Sequence, residues 1–120
     1  MENNSLTEIQ NGTFNSMTSL QQLHLSDNKI TKLEVGAFIN LPALHYLYLS
    51  NNEISDLQTG AFKDLPALNQ LHLSNNKISE IDTGAFINLA ALNYLTLEHN
   101  LLTNMNNGTF EGMTGNLRTL

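Results

Sequence analysis

The chain contains no cysteine, which excludes disulfides, thiolate metal sites and cysteine nucleophiles together. Basic residues are scarce, with five Lys and Arg against 11 Asp and Glu and a net charge of -6. Without a Lys/Arg cluster to neutralise phosphates or anionic headgroups, nucleic acid is not expected as a partner. Long apolar runs are also missing and the mean hydropathy is -0.19, so direct membrane insertion is not expected. No charged segment followed by an apolar one opens the chain, and no secretory signal is read there. Only two prolines occur, Pro42 and Pro66; both fall where they would interrupt a long helix.

What is present is a repeat. Asparagine recurs every 24 residues at Asn4, Asn28, Asn52, Asn76 and Asn100, and each time it follows the same apolar frame. Around Asn52 that frame is Leu44, Leu47, Leu49, Ile54 and Leu57, continued by Gly60, Ala61, Phe62 and Leu65. Self-similarity at a fixed period of this size marks a solenoid, with contacts running mainly between neighbouring repeats. The 120 residues are expected to form a single domain of about five repeats, incomplete at both ends, starting at Leu20, Leu44, Leu68, Leu92 and, after a one-residue displacement near Gly115, Leu117.

Within each repeat the columns have separate roles. The pairs Leu23 and Leu25, Leu47 and Leu49, Leu71 and Leu73, and Leu95 and Leu97 alternate with polar residues, the period-two pattern of a half-buried strand. Stacked strands give a parallel sheet. Each ends at the ladder Asn, whose two amide donors and one carbonyl can satisfy the backbone where the chain turns. Gly12, Gly36, Gly60, Gly84 and Gly108 precede Phe14, Phe38, Phe62, Phe86 and Phe110 by two positions. A second buried spine on the convex side follows, made of loop with short helical turns.

Residues between the strand leucines must point away from the core. They form columns about 4.8 Å apart from strand to strand: Gln22, Tyr46, Gln70 and Tyr94 in one, and His24, Tyr48, His72 and Thr96 in the next. All three tyrosines lie here, where packing does not require them, and Tyr serves well as a rigid amphipathic contact. Acidic residues, among them Asp27, Glu53 and Glu98, follow the sheet, interrupted by Lys29, Lys32 and Lys77. They would either steer a cationic ligand or form a solvated surface.

Chemistry of other kinds finds little support. His24 and His72 stand two strands apart, roughly 9.6 Å by strand spacing, too far to share one zinc, and His45 and His99 lie in other columns. No serine has a His and an acid placed beside it in an enclosed pocket. Metal, cofactor and catalysis are therefore not expected.

The block Leu44 to Ile54 (LHYLYLSNNEI) and the block Thr59 to Leu65 (TGAFKDL) resemble the extracellular class of leucine-rich repeats, from which variable lymphocyte receptors, Toll-like receptors and Slit proteins are built. The uniform 24-residue spacing and the Gly-Ala-Phe element are most similar to variable lymphocyte receptors. The resemblance implies an α/β repeat solenoid, a right-handed crescent with short parallel strands on its concave face. It further implies an extracellular protein, secreted or a receptor ectodomain, that recognises a protein or microbial-surface ligand. The contact columns would be those of Gln22, His24, Tyr46, Tyr48, Gln70, His72, Tyr94, Thr96 and Glu98; on the charge pattern, Asp27, Glu53 and Glu98 would select cationic groups. A structural or cell-adhesion scaffold acting through its ends or convex side is the alternative. Members of that family carry disulfide-bonded caps, which this sequence lacks, so self-association through open ends is a further expectation. Three sequons, at Asn3, Asn11 and Asn107, mark candidate glycosylation sites.

Overall fold

A computed structural model describes residues 4–103 and the strand at 118–119. The sequons at Asn3 and Asn107 and the displacement near Gly115 lie outside the described residues. Eleven short strands follow in order: β1 (Glu8–Ile9), β2 (Gln22–His24), β3 (Lys32–Leu33), β4 (Tyr46–Tyr48), β5 (Asp56–Leu57), β6 (Phe62–Lys63), β7 (Gln70–His72), β8 (Glu80–Ile81), β9 (Phe86–Ile87), β10 (Tyr94–Thr96) and β11 (Arg118–Thr119).

One strand from each turn enters a parallel sheet ordered β11-β10-β7-β4-β2. Its register is the sequence period itself: Leu23 pairs with Leu47, Leu47 with Leu71 and Leu71 with Leu95. These leucines, with Leu25, Leu49, Leu73 and Leu97, are buried, because a side-chain period of two leaves them no other face. Ile30, Ile54, Ile78 and Leu41, Leu65, Leu89 fill further rows with no exposed surface. Each fully buried side chain of this size contributes about 1.5–3 kcal/mol.

The asparagine ladder joins the turns. Asn52 Oδ1 accepts from the Ile30 N–H at 3.1 Å, while its Nδ2 donates to the carbonyls of Leu25 and Leu49, both at 3.0 Å. Asn76 repeats this with Ile54, Leu49 and Leu73, and Asn100 with Ile78, Leu73 and Leu97. At the first rung, Asn28 Oδ1 accepts from the Asn4 N–H at 3.1 Å.

The far side carries the expected phenylalanine spine. Phe14, Phe38, Phe62 and Phe86 stack nearly parallel, with centroids 5.7–6.0 Å apart. Rings on the sheet side, His24, Tyr48 and His72, stand only 4.5 and 4.8 Å apart, so the turns fan outward and the sheet lies on the inner, concave side. The outer segments are loop with short turns, as expected. Among the described residues there is no helix; instead isolated turns close Gly12 to Asn15 and Gly36 to Ile39, and β6 pairs with β9. Left-handed backbone at Gly36, Asn40, Gly60, Asp64, Gly84 and Asn88 stops a helix from propagating, and the amides of Gly60, Phe62 and Asp64 bond to the next turn.

Left-handed backbone fixes the glycine column among the described residues, and close packing adds to it at Gly36 and Gly84. A Cβ on Gly84, whose φ is +85°, would stand 3.3 Å from Thr59 Cγ2 and 3.4 Å from Ile87 Cδ1. Gly84→Ala is expected to destabilise the fold by about 1–2 kcal/mol through the left-handed backbone, with the contacts adding more. Gly12→Ala, at φ +75° with nothing within 4 Å, should show the backbone part alone. Urea midpoints of the two variants, compared directly, measure the packing difference; equal midpoints would refute it.

Candidate functional site

The outward side chains of β2, β4, β7 and β10 share the concave face, in register across the sheet. Because the leucines on either side are held in the core, these residues cannot turn inward without a register slip. Strand spacing and ring thickness then nearly coincide. Tyr48 is sandwiched between His24 and His72, with interplanar angles of 20° and 21°, and Tyr94 tilts onto His72 at 5.4 Å. Tyr46 joins from the neighbouring column at 6.5 Å from Tyr48, and His45 lies 6.2 Å from Tyr46. The space between His24 and His72 is thus filled by the Tyr48 ring.

The polar edges of this cluster are ordered. His24 Nε2 meets Gln22 Oε1 at 3.2 Å, and His72 Nε2 meets Gln70 Oε1 at 3.1 Å, which places the ring proton on Nε2 so that the amide oxygen can accept. Among the described residues, the hydroxyls of Tyr46, Tyr48 and Tyr94 make no hydrogen bond. Ring faces are spent on one another, so a ligand would meet ring edges, hydroxyls and the glutamine amides.

Burial between Tyr48 and Tyr94 lowers the His72 pKa below the ordinary 6.5, since desolvation disfavours the imidazolium. The unfolded chain therefore binds this proton more readily than the native one. Its contribution to stability is present in full above about pH 6.5 and is lost as pH falls from there through the lowered native value. Melting temperature is expected to decline on acidification across that window, before carboxylates titrate. The decline should be shallower in His72→Gln; an identical slope in the variant would show that His72 is not its source.

Other expected contacts are placed differently. Thr96 is 4% exposed and its Oγ1 accepts from the Leu73 N–H at 3.2 Å, so it is not a surface contact, although it shares the register of His72. Asp27 is exposed and stands in left-handed backbone, with a φ of +59° that Asn51 and His99 share and Asn75 nearly matches at +56°. Asp, Asn and His tolerate this left-handed turn at the strand end, a signal legible in the Asp, Asn or His that precedes each ladder Asn. Glu53 is exposed in a column whose neighbouring rungs are Lys29 and Lys77, so the charge there alternates in sign. Glu98 is exposed beside buried Thr96, and Gln22 and Gln70 lie with the aromatic cluster. Asn11 is exposed on the outer side, away from the sheet.

The repeat fold agrees with comparison to known proteins. The sequence profile of the leucine rich repeat family matches residues 1–54, 42–102 and 68–120. No curated protein sequence matches the chain. Among solved structures, the crystal structure of the TLR13-ssRNA13 complex is similar with a TM-score of 0.88 and 30% identity, over 93% of this chain. The chain spans 16% of the length of that one. Its partner there is single-stranded RNA, so the comparison lends nothing to the exclusion of nucleic acid expected from charge. With the 24-residue register, the asparagine ladder and the family profile covering its length, the chain belongs to the leucine rich repeat family.

Proposed function

We propose that the protein is an extracellular, non-enzymatic recognition module that binds a protein or microbial-surface ligand on its concave face, in the manner of immune leucine-rich repeat receptors. One observation carries this reading: a continuous aromatic patch of His24, Tyr48, His72 and Tyr94, with Tyr46 beside it, stands on the face where the fold demands no aromatic residue. Its tyrosine hydroxyls are unspent among the described residues, and its rings are already held in place by stacking. Such preorganised amphipathic groups lose little entropy when a partner arrives. Asp27 and Glu98, exposed at the margin, would favour cationic groups on that partner.

The test is capture of extracellular proteins, whole bacteria and single-stranded RNA by the wild-type chain and by a Tyr46→Ala, Tyr48→Ala, Tyr94→Ala variant. A saturable protein or bacterial ligand weakened by roughly 30-fold or more is expected, the effect of losing at least one anchor of about 2 kcal/mol. RNA as the only captured ligand would overturn the ligand class. Undiminished binding by the triple variant would favour a structural or adhesion scaffold. For that second reading, a cleft of about 610 Å³ away from the sheet, lined by Ile39, Asn40, Pro42, Asp64 and Pro66, offers a surface.

A further inference from the structure

We infer that Asn11 carries an N-linked glycan whose first sugars cover an apolar cleft on the outer side of the solenoid. This rests on reading the protein as extracellular. The site begins with a contrast among asparagines. Ladder residues Asn28, Asn52, Asn76 and Asn100 spend Nδ2 on buried carbonyls. On the outer side, Asn40 donates to Asn15 and Asn88 to Asp64. Asn11 is exposed, and its side-chain amide makes no hydrogen bond among the described residues. It is also the asparagine of the Asn11-Gly12-Thr13 triplet.

The packing around Asn11 supplies the second observation. Its Oδ1, Cγ and Nδ2 lie 2.8, 3.1 and 3.3 Å from where a Cβ on Gly36 would stand. The amide is therefore pressed flat on the glycine of the next turn, at the edge of a cleft of about 210 Å³. Val35 and Ile39 line that cleft and are 48% and 44% exposed, while most other large apolar side chains among the described residues are buried. Lys63 and Asp64 supply its polar margin. A sugar ring offers apolar C–H faces and hydroxyls together, which suits an apolar floor with a charged rim. Starting from Nδ2, it would begin at the cleft rather than in open solvent. The concave aromatic face is left unobstructed, because Asn11 belongs to the opposite half of its repeat.

The folded turn also says when the bond forms. Thr13 Oγ1 donates to the Gln10 carbonyl at 2.7 Å, and the Asn11 and Gly12 N–H groups bond to Glu34 and Gly36. The triplet is closed in the native state, so modification precedes folding. In the reaction Nδ2 forms a bond to the anomeric carbon of an oligosaccharide carried on an isoprenoid diphosphate. Nδ2 loses one proton, the bond from sugar to diphosphate breaks, and the isoprenoid diphosphate leaves.

The test is secretion of the full chain from animal cells behind a cleavable leader. Glycans are then released enzymatically in heavy-oxygen water, which leaves a mass-labelled aspartate at each occupied position. Label at Asn11 is expected, lost in Asn11→Gln and in Thr13→Ala and kept in Thr13→Ser. Release of the glycan should raise the fluorescence of a hydrophobic dye, an increase that Val35→Ser with Ile39→Ser abolishes. Asn11 unlabelled while Asn3 or Asn107 is labelled would overturn this inference and leave the extracellular reading standing. No label at any of the three would likewise overturn this inference, with the extracellular reading untouched because the added leader imposes secretion. Label at Asn11 without a change in dye fluorescence would overturn the covering of the cleft.

Discussion

Asn52→Leu is expected to lower the unfolding free energy by about 3–5 kcal/mol, near the upper end of what single substitutions do. Leucine is similar in size, so packing volume changes little. The loss is in hydrogen bonding. Without the amide, the Ile30 N–H loses the acceptor it had at 3.1 Å, and the carbonyls of Leu25 and Leu49 lose donors at 3.0 Å. Leaving the buried Ile30 N–H unsatisfied costs about 1–3 kcal/mol, and each lost carbonyl bond about 0.5–1.5 kcal/mol, since those carbonyls keep the Nδ2 donors of Asn28 and Asn76; all three groups surround a side chain that is 7% exposed. Asn100 makes equivalent bonds but is only half-buried, so water can replace part of what it supplies. Asn100→Leu should therefore cost clearly less. Urea midpoints rank the two; equal losses would mean that burial does not set the ladder's strength.

The phenylalanine spine should respond on a similar scale. Phe62 has no exposed surface and lies between Phe38 at 5.7 Å and Phe86 at 5.8 Å. Truncation to alanine removes the buried ring and leaves a cavity, with an expected loss of about 3–5 kcal/mol. In a domain of this size that lowers the melting temperature by on the order of 10–20 °C. Phe62→Leu keeps apolar volume but gives up two ring contacts, each worth about 0.5–1.5 kcal/mol beyond area; it should recover part of the loss. The deficit should also be larger than for Phe14→Ala, since Phe14 stacks on Phe38 alone among the described residues. Calorimetry on the three variants gives the order directly, and a Phe62→Ala protein melting within a few degrees of wild type would contradict the spine.

Much of this is legible in the order of residues. The 24-residue period sorts leucines and phenylalanines into rows and identifies Asn52 and its equivalents as bridges, because only one register lets every repeat bury the same positions. It also separates outward from inward strand residues, which is why Gln22, His24, Tyr46, Tyr48, Gln70, His72 and Tyr94 emerge on one face. Thr96 shows the limit. It shares a column with His72, yet its small hydroxyl side chain is buried against the Leu73 amide. Periodicity reports direction, whereas exposure also depends on side-chain length and on what the next turn covers.

By itself, then, the sequence determined the repeat, the sheet register and the identity of the core, since these follow from side-chain periodicity. Only the tertiary structure decided that Tyr48 is clasped by two histidines, that Asn11 lies flat on Gly36, and that on the outer side Phe62–Lys63 pairs with Phe86–Ile87. Each of these depends on the distance between chains brought together by the solenoid's closure, about 24 residues apart in sequence. A one-dimensional pattern states which residues will be neighbours; how closely they approach, and therefore which bond, stack or expose a surface, is fixed by the pitch and curvature of the assembled turns.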